Sequence, residues 1–314
     1  MQPPLYAAYQ KRHHPAQNLQ TARSMQRKHS KHGSKMKELL IINDLCGFST
    51  VATTAMMPIL SYKGVPTKNL PTAIISNNLE YGKFAIHETT DYITQSFAIW
   101  KELGFHSDAI ATGFMASERQ AEIIAEYCRE QAATGTAIYV DPIMGDEGKL
   151  YNGITEETVN AMRRMISVAT LCFPNYTEAC YLTGTPYSAS GVTRTEAYSL
   201  VKKLRDIGAR SVINTSIPID GQPSVIGYNA DIESLGIPAG KEHFVLPYDE
   251  IPVRIPGTGD IFSAIVISHL LHGVELKVST RRAMDNVRTL IDLNKDNKDK
   301  FRGIPIERYL HVLD

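Results

Sequence analysis

Gly257-Thr258-Gly259-Asp260, followed at once by Ile261-Phe262-Ser263-Ala264-Ile265-Val266, joins three small residues and an acid to an apolar stretch that reads as a buried helix. Small residues in succession let the backbone amides of a first helical turn converge on one point. The unpaired N–H groups there, with the positive end of the helix dipole, favour an anion. Asp260 lies one residue inside that anion hole. A carboxylate ordinarily repels phosphate, so a base acting on an incoming hydroxyl beside a phosphoryl group in flight is the more economical account of its position. Taken alone, the segment also admits a plain helix start, with glycines for the turn and Asp260 as partner of the dipole.

Upstream, strand and helix alternate. Residues 39–43 form an apolar strand ending in a polar loop, 51–62 a helix, 72–75 a strand and 91–103 a helix. The pattern continues with a strand at 109–111, a helix at 118–132, a strand at 137–140 and a helix at 156–166. It closes with a strand at 170–172, a helix at 195–207 and a strand at 211–213. Residues 224–228 and 243–246 flank a polar, glycine-containing segment and read as antiparallel strands; the last helices run from about 260 to 271 and from 278 to 293. Such alternation predicts an α/β fold, a mostly parallel sheet covered by helices on both faces. Ligands of open sheets of this kind bind beyond the carboxyl ends of the strands, which is where the motifs fall.

Four further segments, in chain order, accompany the Gly257–Asp260 stretch: Ile42-Asn43-Asp44-Leu45-Cys46-Gly47-Phe48-Ser49, Ser76-Asn77-Asn78-Leu79-Glu80-Tyr81-Gly82, Asp141-Pro142-Ile143-Met144-Gly145-Asp146 and Pro174-Asn175-Tyr176-Thr177-Glu178. In order and spacing they resemble the ribokinase superfamily, and within it the pyridoxal/pyridoxamine (vitamin B6) kinase branch, over nearly all of the chain from Lys37 onward. The resemblance implies a ribokinase-like three-layer α/β/α fold with a central mostly parallel sheet. It implies ATP-dependent phosphorylation of the hydroxymethyl group of pyridoxal, pyridoxamine or pyridoxine, with ATP and Mg2+ as cofactors.

Asp141, at the end of a buried strand, and Asp146 can hold hydrated magnesium, an ion satisfied by one or two carboxylates plus phosphate oxygens; the same residues also suit a turn around Pro142 and Gly145. Asn175 and Glu178 are spaced to share one side of a helix start, either as cap and first-turn acid or, as the resemblance implies, as organisers of magnesium and phosphate. The metal set is therefore Asp141, Asp146 and Glu178. The catalytic set is Asp260 with the amides of Gly257, Thr258 and Gly259. Residues 146–155 read as a mobile flap that the resemblance lays over the nucleotide, with Tyr151 excluding water near the phosphates. Asn214 and Thr215, beyond the strand ending at 213, match the position that touches phosphates or ribose. Nucleotide contacts are thus expected from Asp141, Tyr151, Asn175, Asn214, Thr215 and Thr258.

For the acceptor ring the resemblance points to Asn43 and Asp44, to Asn78 and Leu79, to Phe114 and to Asp260, with Leu79, Phe114 and Pro256 as an apolar sandwich. Asn43 and Asp44 equally suit a strand-to-helix turn with Asp44 as cap. Asn78 and Leu79 replace the His and Thr common in relatives. Phe173 stands where many relatives carry a hydroxyl residue near an activating monovalent cation, which leaves that ion open. The nearest rival, hydroxymethylpyrimidine kinase, commonly carries Cys at the position of Asp260. A catalytically weak nucleotide-binding regulator is opposed by the intact Asp141, Glu178 and Asp260. An NAD-dependent dehydrogenase lacks its GxGxxG after the first strand.

Composition agrees with one enzyme domain: 314 residues, 43% apolar and 21% charged, with no apolar run of the roughly eighteen residues a membrane helix needs. The four cysteines show no metal or CxxC spacing, so reduced thiols and a cytoplasmic location are expected. Net charge is zero, yet seven of the 33 basic residues and no acid fall in residues 1–36, leaving 26 basic against 33 acidic residues in the remainder. This polar leader should be disordered, and residues 37–314 should form the kinase domain. An upstream extension with Met36 as functional start is favoured for it over a transit-like peptide or a nucleic-acid-binding tail. The expected partners are small molecules, with neither membrane nor nucleic acid and with assembly as a homodimer.

Overall fold

The computed structural model describes residues 36–231 and 241–314. The proposed leader, residues 1–36, lies outside them except for the exposed Met36. The elements run β1 Leu39–Cys46, α1 Ala52–Tyr62, β2 Thr67–Ile75, β3 Ile86–Glu88, α2 Thr90–Leu103, β4 Ala109–Thr112, α3 Glu118–Ala132 and β5 Ala137–Val140. There follow the two-residue strands β6 Gly145–Asp146 and β7 Lys149–Leu150, α4 Glu156–Ile166, β8 Leu171–Cys172, α5 Tyr176–Thr183 and α6 Arg194–Ile207. The chain then forms β9 Ser211–Ile219, β10 Gln222–Tyr228, β11 His243–Pro247, α7 Thr258–Leu271 and α8 Leu276–Asn294.

Nine strands make one sheet in the order β11-β10-β9-β8-β5-β4-β1-β2-β3. The six from β9 to β2 are parallel, and β3, β10 and β11 extend the edges antiparallel. Strand alternation divides the core between two faces. Leu40 and Ile42 of β1 pack with residues of α2 to α6, among them Phe97, Ile124, Met162, Ala179 and Leu200. Leu39 and Ile41 pack with α1, α7 and α8 through Ile59, Ile265 and Leu290. The result is the expected three layers. Almost all of α7 is buried, as its largely apolar sequence requires of a helix between a sheet and two other helices.

Three of the differences from the sequence reading bear on the cleft, each for a tertiary reason, while β2 also begins earlier than read, at Thr67. β1 runs past Asn43 to Cys46 because β2 pairs with it up to Ile75, so Asn43 and Asp44 lie within a strand rather than in the turn after it. β9 runs past Ile213 to Ile219 because β10 folds back along it; Asn214 and Thr215 are strand residues too. Between Ile217 and Asn214 this strand has one residue more than its partner, a bulge beside Ser216 at φ 57°. Finally, the start of the flap is a β6–β7 hairpin whose turn residues Glu147 and Gly148 both have positive φ, the conformation a two-residue hairpin prefers.

Candidate active site

Gly257 caps α7 at φ 85°, and a Cβ there would lie 2.6 Å from the backbone oxygen of Thr50, so only glycine fits without displacing the loop before α1. Gly259 differs: a Cβ built on it meets nothing within 4 Å. The first turn of α7 therefore faces the open space of a cleft of about 690 Å³. Gly257, Thr258, Gly259 and Asp260 line it together with Asp44, Asn78, Leu79, Phe114, Asp141, Asp146, Tyr151, Asn175, Glu178 and Thr215. The tertiary fold thus brings to one cavity all but two of the expected residues.

The two exceptions are Asn43 and Asn214, and alternation along their strands explains both. Asn43 points beneath the cleft, into a cavity of about 10 Å³ shared with Met56, Thr112, Asp141, Asp260 and Ser263. Its Oδ1 accepts the N–H groups of Asp44 at 2.9 Å and Phe114 at 2.8 Å, and its side chain hydrogen-bonds Asp260. Asn214 is fully buried, and its Nδ2 donates to the Pro174 oxygen at 3.0 Å. Both hold neighbouring segments in place from behind. The next residues, Asp44 and Thr215, are the ones that face the cleft.

Asp260 is buried, and one carboxylate oxygen accepts the N–H of Ala52 at 2.8 Å. Ala52 holds φ 49°, an uncommon conformation for alanine that turns this N–H towards the acid. Burial raises the Asp260 pKa to about 6, against the lowering effect of the hydrogen bonds from Ala52 and Asn43. Burial and then repulsion by Asp260 raise Asp44 to about 7 and Asp141 to about 8, the latter opposed by a hydrogen bond from Ser263. Asp141 keeps a partly open face towards the cleft, yet its carboxyl lies in dense surroundings. Glu178 is held well above its usual value by burial first and Asp141 second.

The Asn175–Glu178 pair forms the helix cap that was one of its two expected uses. Asn175 Oδ1 accepts the Glu178 N–H at 2.9 Å and Glu178 Oε2 accepts the Asn175 N–H at 2.8 Å, a complete capping box at the start of α5. Glu178 Oε1 also accepts the N–H of Met144 at 3.0 Å, and the side chain lines the cleft. The amide of Asn175 is spent on the cap and on the Gly145 oxygen at 2.8 Å, where it anchors the hairpin. Thr177 adds a second anchor by accepting the Gly148 N–H at 2.8 Å. The segment read as a mobile flap is therefore tied to α5 at its base.

Sequence reading missed several groups. Ser263 follows Asp260 by three positions, the helical spacing that could have revealed it. The Ala52 N–H carries no side-chain signal at all. Val225, Tyr248, Ile251, Val253, Met284 and Ile291 also line the cleft, residues from β10, the segment before α7 and α8 that only the fold unites. Arg254 and Glu80, at the rim, form an ion pair of 2.7 Å across 174 positions of sequence.

No group of three or more His, Cys, Asp or Glu side chains forms a metal cage among the described residues. Asp141, Asp146 and Glu178 line the same cleft. They are carboxylates of adjacent segments, each raised in pKa by burial, so a positive charge supplied with a phosphate-bearing ligand would stabilise their ionised forms. The four cysteines are buried thiols, and no helix of the described residues is long and apolar enough to cross a membrane.

A buried carboxylate in the open first turn of a helix thus lines a cleft in a fold whose ligands bind beyond the carboxyl ends of the parallel strands. The phosphomethylpyrimidine kinase family model matches residues 59–303, and the chain belongs to that family. It is 32% identical over 200 residues to the pyridoxal kinase of Arabidopsis thaliana, a match covering 60% of this chain and 61% of that protein. It is 25% identical over 264 residues to the pyridoxal kinase PdxY of Leifsonia xyli, covering 81% of this chain and 88% of that one. Among solved structures, a Bacteroides thetaiotaomicron protein classed with the phosphomethylpyrimidine kinases, in a crystal form with pyridoxal, superposes with TM-score 0.81 at 33% identity, over 89% of this chain and 96% of that one.

Proposed function

We propose that this chain is an ATP-dependent kinase that phosphorylates the hydroxymethyl group of a vitamin B6 vitamer. The observation that carries this reading is Asp260, buried and oriented by the Ala52 N–H one residue inside the open first turn of α7. A pKa near 6 leaves this acid mostly ionised at neutral pH while making it a stronger base than an ordinary aspartate, as removal of a hydroxyl proton requires. The amides of Gly257 to Asp260 receive the transferring phosphoryl group, whose charge they and the helix dipole offset. Leu79, Phe114 and Pro256 sandwich the flat ring, with Asp44 and Asn78 beside it. The nucleoside occupies the opposite end, between β10, the segment before α7, and α8.

Asp141, Asp146 and Glu178 would hold Mg2+, which supplies charge neutralisation to the phosphates. Tyr151 covers that end against water. A homodimer in the cytosol completes the reading, and a solution mass twice that of one chain tests the assembly. Incubation with Mg-ATP and a panel of pyridoxal, pyridoxamine, pyridoxine and hydroxymethylpyrimidine, with identification of the phosphorylated product, tests the activity. The last compound belongs in the panel because of the family's own description. A 5'-phosphate of a B6 vitamer is expected. Phosphorylation of the pyrimidine alone, or of nothing, overturns the assignment.

A further inference from the structure

One side chain at the cleft rim touches both ends of the site. Arg254 lies three residues before the anion hole. Its Nη2 donates to Glu80 Oε1 at 2.7 Å, and Glu80 sits in the turn Leu79–Tyr81, directly after Asn78 and Leu79 of the ring end. Its Nε lies 3.7 Å from Asp146 Oδ2 in the hairpin over the phosphate end. The guanidinium carbon lies 5.7 Å from the centre of the Tyr151 ring and the group hydrogen-bonds that side chain. The planar fork of arginine can satisfy partners in several directions at once, which a lysine ammonium on its flexible stem does less well. Among the described residues Glu80 has no other ion pair.

We propose that Arg254 is a positioning residue that couples the two ligand sites, so that ordering of the hairpin by nucleotide strengthens the grip on the ring alcohol, and the reverse. Each contact alone is weak, because all three charged side chains are partly open to water. Shared through one guanidinium they cooperate: a hairpin held by bound phosphates keeps Asp146 and Tyr151 in place, and Arg254 is then already oriented for Glu80. Glu80 in turn fixes the turn that carries Leu79. Linkage requires the effect to be reciprocal and equal in the two directions. The inference rests on the kinase reading for the identity of the two ligands.

The test measures pyridoxine affinity by calorimetry with and without a saturating non-hydrolysable ATP analogue and Mg2+, and the analogue's affinity with and without pyridoxine. In the wild type each ligand is expected to tighten the other about three- to tenfold, within the usual range of such couplings. Arg254→Met keeps the stem and removes the fork; it should bring both ratios close to one while each ligand alone binds within about threefold of wild type. Glu80→Gln, which leaves the segment before α7 untouched, should abolish the same coupling from the other side, and the double variant should lose no more. Unchanged ratios in Glu80→Gln, or a wild-type ratio of one, overturn the proposal. A more than tenfold loss of analogue affinity by Arg254→Met alone overturns it as well, since Arg254 would then be a direct nucleotide contact. A wild type that binds neither ligand instead removes the kinase reading on which the inference stands.

Discussion

The two parts of the cleft to which the proposed function assigns phosphate and ring are built by opposite means. The phosphate end is buried and bound up in hydrogen bonds: Asp260 on the Ala52 N–H and on Asn43, Glu178 on the Met144 and Asn175 N–H groups, Gly257 pressed against Thr50. The ring end rests on a half-buried turn whose Asn78 spends its amide on the Glu80 N–H at 3.0 Å and on the Phe301 oxygen at 3.2 Å. What remains for a ring there is mostly apolar contact and Asp44. On the proposed function, chemistry that tolerates little displacement rests on rigid elements, and recognition of the acceptor on a turn that can vary without disturbing them.

If that contrast is right, the largest effect comes from Asp260→Asn. Shape and hydrogen bonding are nearly preserved but proton acceptance is lost, so turnover should fall about 10² to 10⁴-fold while nucleotide affinity, measured by calorimetry, survives. Near-normal turnover in this variant would remove Asp260 from the chemistry.

The two glycines then sharpen the contrast within the phosphate end itself. Gly257→Ala forces a side chain into positive φ against the Thr50 oxygen and should cost about 2–4 kcal/mol in denaturant unfolding. Gly259→Ala meets nothing and should leave stability unchanged or improved by up to about 1 kcal/mol, the helix-propensity difference, yet its methyl enters the phosphate space and should lower turnover at least about tenfold. Equal stability losses in the two variants would show that Gly259 is structural.

At the ring end, Leu79→Ala should raise KM for the B6 vitamer about fivefold with kcat retained, since about 1 kcal/mol of apolar burial is lost from a partly exposed site. A fall in kcat with KM unchanged would place Leu79 in the transition state rather than in recognition.

The smallest effect is on stability against pH. Asp44, Asp141 and Asp260 have folded-state pKa values of about 7, 8 and 6, above the ordinary 3.8, so the folded chain binds more protons than the unfolded one between those values. Stability without ligands should therefore fall as pH rises from about 4 to about 8, and Asp44→Asn should make that decline shallower between about pH 4 and pH 7 in a series of melting temperatures. A rising curve over the same interval would contradict the burial assigned to these acids.

How far the sequence reached depends on the range of the forces involved. The bounds of α3, β5 and α4 are those expected, because local signals decide them: Ser117 accepts the Gln120 N–H at the start of α3, and apolar spacing fixes the buried face of each helix. The helix start at Gly257, the acid behind it and the capping pair Asn175–Glu178 were legible for the same reason, being set by residues three or four apart. The reach of β1 and β9 was not, since a strand extends as far as a partner distant in sequence continues to pair with it. That single fact moved Asn43 and Asn214 from the cleft wall to the packing behind it and brought Asp44 and Thr215 forward, because a strand sends successive side chains to opposite faces. The Ala52 N–H on Asp260, the raised acids and the Arg254 contacts likewise belong to the tertiary structure alone. Each depends on burial or on the meeting of segments more than a hundred residues apart, which no local pattern encodes.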